Sequence, residues 1–413
     1  MRQIFASIAI FFMSPLGALS VSTPVTLSLS ESPSQPCVAL NEKGEAVVLW
    51  TSNDLEEISM VEVSTCNSTK EWSSPSILGK RHSHEGNPQL VLDSDGTVFS
   101  VWKGAAYGNP FFQWVKKEKN GSLSSSMIEI QDPTINRDCY LDKDGNLSLL
   151  DTNQDIPKIV TYEHQTQKKI SREIPRNSVH RVMTPQEKEF VVFISESKGY
   201  FWNSYSVKGV WIEEASEPVT IIDLFRGNQY QFYPVAVNDN GNIGVIWAKK
   251  NSPMDWIVAT VYVDGKWSES VPLIQRNGVQ NIQSEIDAEG NFLVVWSKIE
   301  NNEQGLFAAY KPKEQDWLSP VLLFNSNLSR FEISQSKGHF VVMWDKIVKP
   351  NAAVHSAVFS TATLNWSFQQ LSPGEVPCAN ANMAFNEYGY GVIAWEAIIN
   401  GTRYIQAAEL SLQ

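Results

Sequence analysis

One line of sequence keeps returning along this chain: a Pro or polar entry, a short apolar stretch, a turn of the form D-x-x-G-N, and an apolar stretch ending in Trp. Six copies are clear: PCVALNEKGEAVVLW at 36–50, PQLVLDSDGTVFSVW at 88–102, PVAVNDNGNIGVIW at 234–247, QSEIDAEGNFLVVW at 283–296, EISQSKGHFVVMW at 332–344 and MAFNEYGYGVIAW at 383–395. Two weaker copies, DCYLDKDGNLSLLD at 138–151 and MTPQEKEFVVFI at 183–194, fill the interval between. The final positions, Trp50, Trp102, Asp151, Ile194, Trp247, Trp296, Trp344 and Trp395, lie 43 to 53 residues apart. A fixed period of this length marks a supersecondary unit that must stack on its neighbours to bury its faces.

Each copy carries two more stretches of strand character. The third is apolar and aromatic, as in WIVATVYV (256–263). The fourth opens near a second Trp and runs into Pro and aliphatic residues, as at Trp72, Trp211, Trp267, Trp317 and Trp366. Gly, Asn and Asp occupy the turns, where a hairpin needs positive φ. The chain is 42% hydrophobic, only 19% charged, and holds 14 Trp, 19 Phe and 12 Tyr, a balance suited to half-buried sheets. Four short antiparallel strands per repeat is the blade of a β-propeller. The fold class is therefore all-β, an eight-bladed propeller, with seven blades as the alternative should the two weak copies merge.

The last copy ends at Tyr404–Gln413, which reads as a third strand with no fourth behind it. Thr23-PVTLSLS aligns with the fourth strands Glu217-PVTII and Ser319-PVLLF. The N-terminal segment is thus expected to complete the last blade and close the ring, leaving no large open sheet edge. One domain then spans 21–413.

These repeats resemble the secreted bacterial β-propeller repeats that carry D-x-x-G-N-x-x-V-x-W. The resemblance covers nearly all of 21–413 and implies fold much more than activity. The G-H…W-D pairing of WD40 blades and the kelch double glycine are absent. The aromatic of the sialidase Asp-box stands two or three residues after Gly, whereas Trp here comes six after it.

Residues 1–20 have the form of a secretory signal. Arg2 precedes an apolar run from Ile4 to Met13, and Ala18 and Ser20 place small residues around a cleavage point after Ser20. The run is too short to span a bilayer, and no membrane span is expected elsewhere. A secreted or periplasmic location follows. The net charge of −12 argues against nucleic acid as partner. Four Cys match no zinc spacing. Cys37 opens the first blade and Cys378 precedes the eighth, so a Cys37–Cys378 clasp is one expectation.

Candidate sites are few. The D-x-D-G turns resemble the start of a calcium loop, but an apolar strand follows where further ligands would be needed, so they read as hairpins. His82 and His84 alternate beside Glu85 without an identifiable third ligand, and a solvated loop is the better reading. No catalytic motif, metal site or cofactor signature is recognised. The Arg distribution is uneven. Of nine Arg outside the leader, eight (Arg81, Arg137, Arg172, Arg176, Arg181, Arg226, Arg276, Arg330) fall in or near the segments joining one blade's outer strand to the next blade's inner strand; Arg403 does not. These connections share one face of a propeller. Arg81, Arg137, Arg181, Arg226, Arg276 and Arg330, with Tyr230, are the candidate ligand-binding residues, because Arg and aromatics on a rim are the usual composition of binding hot spots. Ion pairing between blades is the competing role for these Arg. The expected function is a monomeric, non-enzymatic binding or scaffold protein for a glycan, peptide or partner protein. The alternative is a glycosidase or lyase.

Overall fold

The computed structural model describes residues 19–29, 32–53, 59–81, 88–106, 109–129, 139–151, 157–164, 166, 168–175, 178–183, 188–198, 203–212, 219–224, 230–233, 235–249, 256–300, 303–346 and 352–413. Its strands form eight consecutive antiparallel sheets, the blades of a β-propeller. Blade 1 shows the order, from inner to outer: Ser34–Leu40, Ala46–Asn53, Ser59–Cys66, Ser76–Arg81. The two weak copies build separate sheets, with inner strands Cys139–Leu141 and Ser178–Met183, so the count is eight and not seven. Among the described residues no helix is long and apolar enough to cross a membrane.

Blade 8 consists of Cys378–Phe385, Tyr390–Ile399 and Thr402–Leu412, and the N-terminal segment supplies its outer strand. Leu19–Val21 pairs with Leu412–Leu410, and Val25 and Thr26 pair with Ala407 and Gln406. The Leu27 amide donates to the Ile405 carbonyl at 2.8 Å, and the Ile405 amide donates to Ser28 Oγ at 2.8 Å. Leu19, expected within the leader, is a buried member of the blade 7–8 seam.

The second strands explain why the repeat reads as an unbroken apolar run. Alternate residues face opposite sides of a strand, and here both sides are covered. Ala46, Val48 and Trp50 pack towards blade 8, while Val47 and Leu49 pack towards blade 2. Each strand-ending Trp enters the seam with the preceding blade: Trp50, Trp102, Trp247, Trp296, Trp344 and Trp395 are all buried. Among the described residues the apolar core divides into eight clusters, each spanning one seam. Trp256 differs from the strand-ending Trp. It opens the third strand of blade 5 and is 51% exposed.

The D-x-x-G turns are hairpins whose first side chain holds its own loop. Asp93 Oδ1 accepts from the Asp95 and Thr97 amides at 2.8 Å each, and Asn238 Oδ1 accepts from Asn240 and Asn242 at 3.0 Å each. The glycines take the positive φ such turns demand, +83° at Gly96 and +80° at Gly241. Some of these side chains also tie one blade to the next. Asn41 Nδ2 donates to the Asp93 carbonyl at 3.0 Å and Asn238 Nδ2 to the Asp287 carbonyl at 2.5 Å.

Candidate functional site

A propeller has two unlike faces. Hairpins joining first to second and third to fourth strands form one; the blade-to-blade connections and second-to-third turns form the other, here called the entry face. The Arg series was expected on the entry face. Arg81 ends the outer strand of blade 1, Arg181 lies in the inner strand of blade 4, and Tyr230 opens the inner strand of blade 5. Arg137 and Arg226, like the His82–Glu85 segment, lie outside the described residues.

Arg276 and Arg330 are described with their side chains. Arg276 follows the outer strand of blade 5 and is half-buried against Tyr233, its guanidinium hydrogen-bonded to the phenol. Burial raises the Tyr233 hydroxyl above its ordinary pKa, while Arg276 pulls it back. Trp256 pairs across the same blade with Gln275, the residue before Arg276. Blade 5 therefore carries an exposed indole, a guanidinium and a phenol at one end.

Arg330 sits in the inner strand of blade 7, among acids. It is paired with Glu332 on its own strand. Asp345, the residue after Trp344, is 1% exposed and accepts from the Ala381 amide of blade 8 and from Ser329 Oγ, each at 3.4 Å. Burial pushes the Asp345 carboxyl up to about 6, although the Arg330 charge and the backbone donors oppose it. Asn382 of blade 8 donates to both Glu332 oxygens at 3.1 and 3.2 Å, and its own Oδ1 accepts from the Val38 amide of blade 1 at 2.7 Å. Glu396, the residue after Trp395, accepts from the Gln35 amide at 2.9 Å and Asn380 Nδ2 at 2.8 Å, and pairs with Arg403 at 3.4 Å. Gln35 and Asn380 adopt φ of +56° and +52°, so the two inner strands turn in at this carboxylate.

Arg330 thus meets acids of its own blade, and the tie to blade 8 is made by Asn382 on Glu332. The sector over blades 7, 8 and 1 holds Glu332, Asp345 and Glu396 against Arg330 and Arg403. One further acid, Glu285 on the inner strand of blade 6, has its carboxyl pushed up to about 7 by burial, its own strand's Ile286 amide lowering it only in part.

Sequence reasoning did not single out Asp345 and Glu396. The repeat did hold a signal, because both follow the strand-ending Trp directly, where other copies have Thr51, Lys103, Ala248 and Ser297. The expected clasp is absent. Cys37 and Cys378 are not bridged: the Cys37 thiol donates to the Pro88 carbonyl at 3.3 Å and the Cys378 thiol to the Val376 carbonyl at 3.2 Å. The two sulfurs serve different seams, blade 1–2 and blade 7–8, so neighbouring strands do not bring them together.

No family model and no curated protein matches this chain. Among solved structures, it is similar to a protein of unknown function from Dyadobacter fermentans DSM 18053, with TM-score 0.41 and 8% identity over 96% of this chain and 100% of that one. It is also similar to the β-propeller domain of the Trilobed protease from Pyrococcus furiosus, with TM-score 0.47 and 12% identity over 84% of this chain and 98% of that one. The polysaccharide lyase Uly1 matches with TM-score 0.48 and 9% identity over 93% and 91% of the two chains. Likeness at this level carries no argument about activity or ligand.

Proposed function

We propose that this chain is an exported, non-enzymatic, monomeric binding protein that recognises a glycan, peptide or partner protein through its entry face. The observation that carries this reading is the end of blade 5, where Trp256 stands 51% exposed beside the Gln275–Arg276 step. A large exposed indole at the same end of the blade as the Tyr233–Arg276 pair has the composition of an interface anchor. The further candidates with described strand positions are Arg81, Arg181 and Tyr230, and Arg330 stands at the acidic end. The acids over blades 7, 8 and 1 support binding as well: each is engaged by backbone amides, Asn or Arg of its own scaffold, which favours a fixed platform over an open acid–base pair.

The test is a glycan array and pull-down with the mature protein, repeated with Trp256→Ala and Arg276→Ala. Ligand capture should fall about tenfold or more for each, as for central interface residues. The melting temperature of Trp256→Ala should not move. Unchanged capture with both variants removes the blade 5 anchor.

A second reading, a polysaccharide-acting glycosidase or lyase, draws support from Glu285 near 7 and Asp345 near 6, values suited to proton transfer. Release of reducing ends or unsaturated products from a polysaccharide panel, abolished by Glu285→Gln, would favour it over binding.

A further inference from the structure

On the hairpin face, opposite the entry face, a cleft of about 390 Å³ opens between blades 1 and 2. Ala46, Leu92 and Val98 give it apolar lining, joined by Trp72, which also packs against the blade 8–1 seam. Thr65, Asn67 and Ser73 add hydroxyl and amide groups along the rim. The volume lies in the range of small-molecule sites.

The charged groups of the cleft are unevenly satisfied. Glu45 is paired with Lys119 at 2.7 Å and accepts from Asn41 at 2.8 Å. Glu118 is paired with Lys116 at 3.1 Å. Glu71 accepts from Asn67 and Thr69. Lys117 is the exception. It is half-buried, donates to Ser76 Oγ of blade 1 at 3.0 Å, and has no carboxylate partner among the described residues. Burial alone draws its ammonium below the ordinary lysine range. Lys311, at the matching strand position of blade 6, is drawn down by burial too and differs in its partners: it donates to the Pro312 and Gln315 carbonyls at 3.3 and 2.9 Å. An ammonium with three donors and one hydroxyl partner, facing a cleft, calls for an anionic acceptor.

The rest of the lining decides which anion. Glu45, Glu71 and Glu118 oppose Lys117 and Lys119, so each added negative charge on a ligand raises the repulsion and a monoanion fits better than a dianion such as phosphate. A single carboxylate on a ring with hydroxyls suits both Lys117 and the polar rim, and Trp72 offers that ring apolar lining. We infer that the blade 1–2 cleft is a second binding site, taking a sugar acid of the hexuronate class with its carboxylate on Lys117.

Titration calorimetry of the mature full-length chain with D-glucuronate, D-glucuronamide, D-glucose and inorganic phosphate tests this. Glucuronate should bind, and the amide and glucose about tenfold or more weakly, the loss expected when a charge-assisted bond is removed. Lys117→Met should weaken glucuronate by a similar factor, Lys117→Arg should retain it, and Lys266→Met, at an exposed lysine of blade 5, should leave it unchanged. The comparison of acid with amide needs no variant, so a misfolded Lys117→Met does not rescue the idea. Equal affinity for acid and amide, tighter binding of phosphate than of glucuronate, or no glucuronate binding overturns it.

Discussion

Replacing Gly244 by Ala adds one methyl group to a seam between two blades, and two opposing effects make the outcome informative. Gly244 lies on the second strand of blade 5. Its φ is not positive, so Ala fits the backbone and, on chain entropy alone, would stabilise by about 0.4–1 kcal/mol. Packing says the reverse. A Cβ at Gly244 would stand 2.2 Å from Phe292 Cε2 and 2.5 Å from Cζ. Comfortable carbon contacts are about 3.5–4.0 Å, so the ring must retreat by more than about 1 Å. Phe292 is fully buried and held against Trp317 at a centroid distance of 5.8 Å, which leaves it no open side. Overpacking of this kind costs about 1–3 kcal/mol and should win. Phe292→Ala alone should cost about 3–5 kcal/mol through the cavity it leaves. In that cavity the Gly244→Ala methyl has room, so the double variant should be no worse than Phe292→Ala, a coupling of about 1–3 kcal/mol. Urea denaturation of the four proteins reads all these terms. A neutral Gly244→Ala, or costs that add, would refute the account of how blades 5 and 6 interlock.

Three further outcomes are expected. Asp345 is held near 6, above its unfolded value, so it favours the folded state at low pH and loses that contribution as pH rises through about 6; denaturation midpoints should therefore climb between about pH 7.5 and about pH 5, and Asp345→Asn should flatten that slope. A chain beginning at residue 32 loses Leu27 from the blade 8–1 seam and bares the Thr402–Leu412 edge; size-exclusion chromatography and limited proteolysis should show association and cleavage within blade 8, and a monomer as resistant as the full chain would contradict ring closure through this strand. Non-reducing peptide mapping should find no Cys37–Cys378 linked fragment, and a reductant should leave the melting temperature unchanged, because both thiols are bonded to carbonyls of separate seams.

The fold was legible because its determinants are local and repeated. A Gly such as Gly96 at +83° and an acid such as Asp93 that accepts from two amides of its own turn are both written within five residues. The strand-ending Trp is legible for a different reason: it fills a wedge that recurs at every seam, so the same residue type returns each time. Closure could be read because the sequence of the missing strand, Pro24-Val25-Thr26-Leu27, matches that of outer strands elsewhere.

The polar chemistry was hidden because it depends on which neighbours three different blades bring together. Arg330 in sequence is a cation near a blade junction; in the fold it stands between Glu332 of its own strand and Asp345, and Asn382 carries the network on to Val38. Counting Arg alone could not reveal that, over blades 7, 8 and 1, Glu332, Asp345 and Glu396 meet Arg330 and Arg403. The recurring slot after Trp did hold the clue, since an acid at Asp345 or Glu396 in a buried repeat position must find donors from the next blade or lose its charge. Lys117 follows the same logic in reverse. Its repeat position is ordinary, and only the contrast with Lys311, whose ammonium has carbonyls to meet, marks the blade 1–2 cleft as a place where the protein leaves a charge for something else to complete.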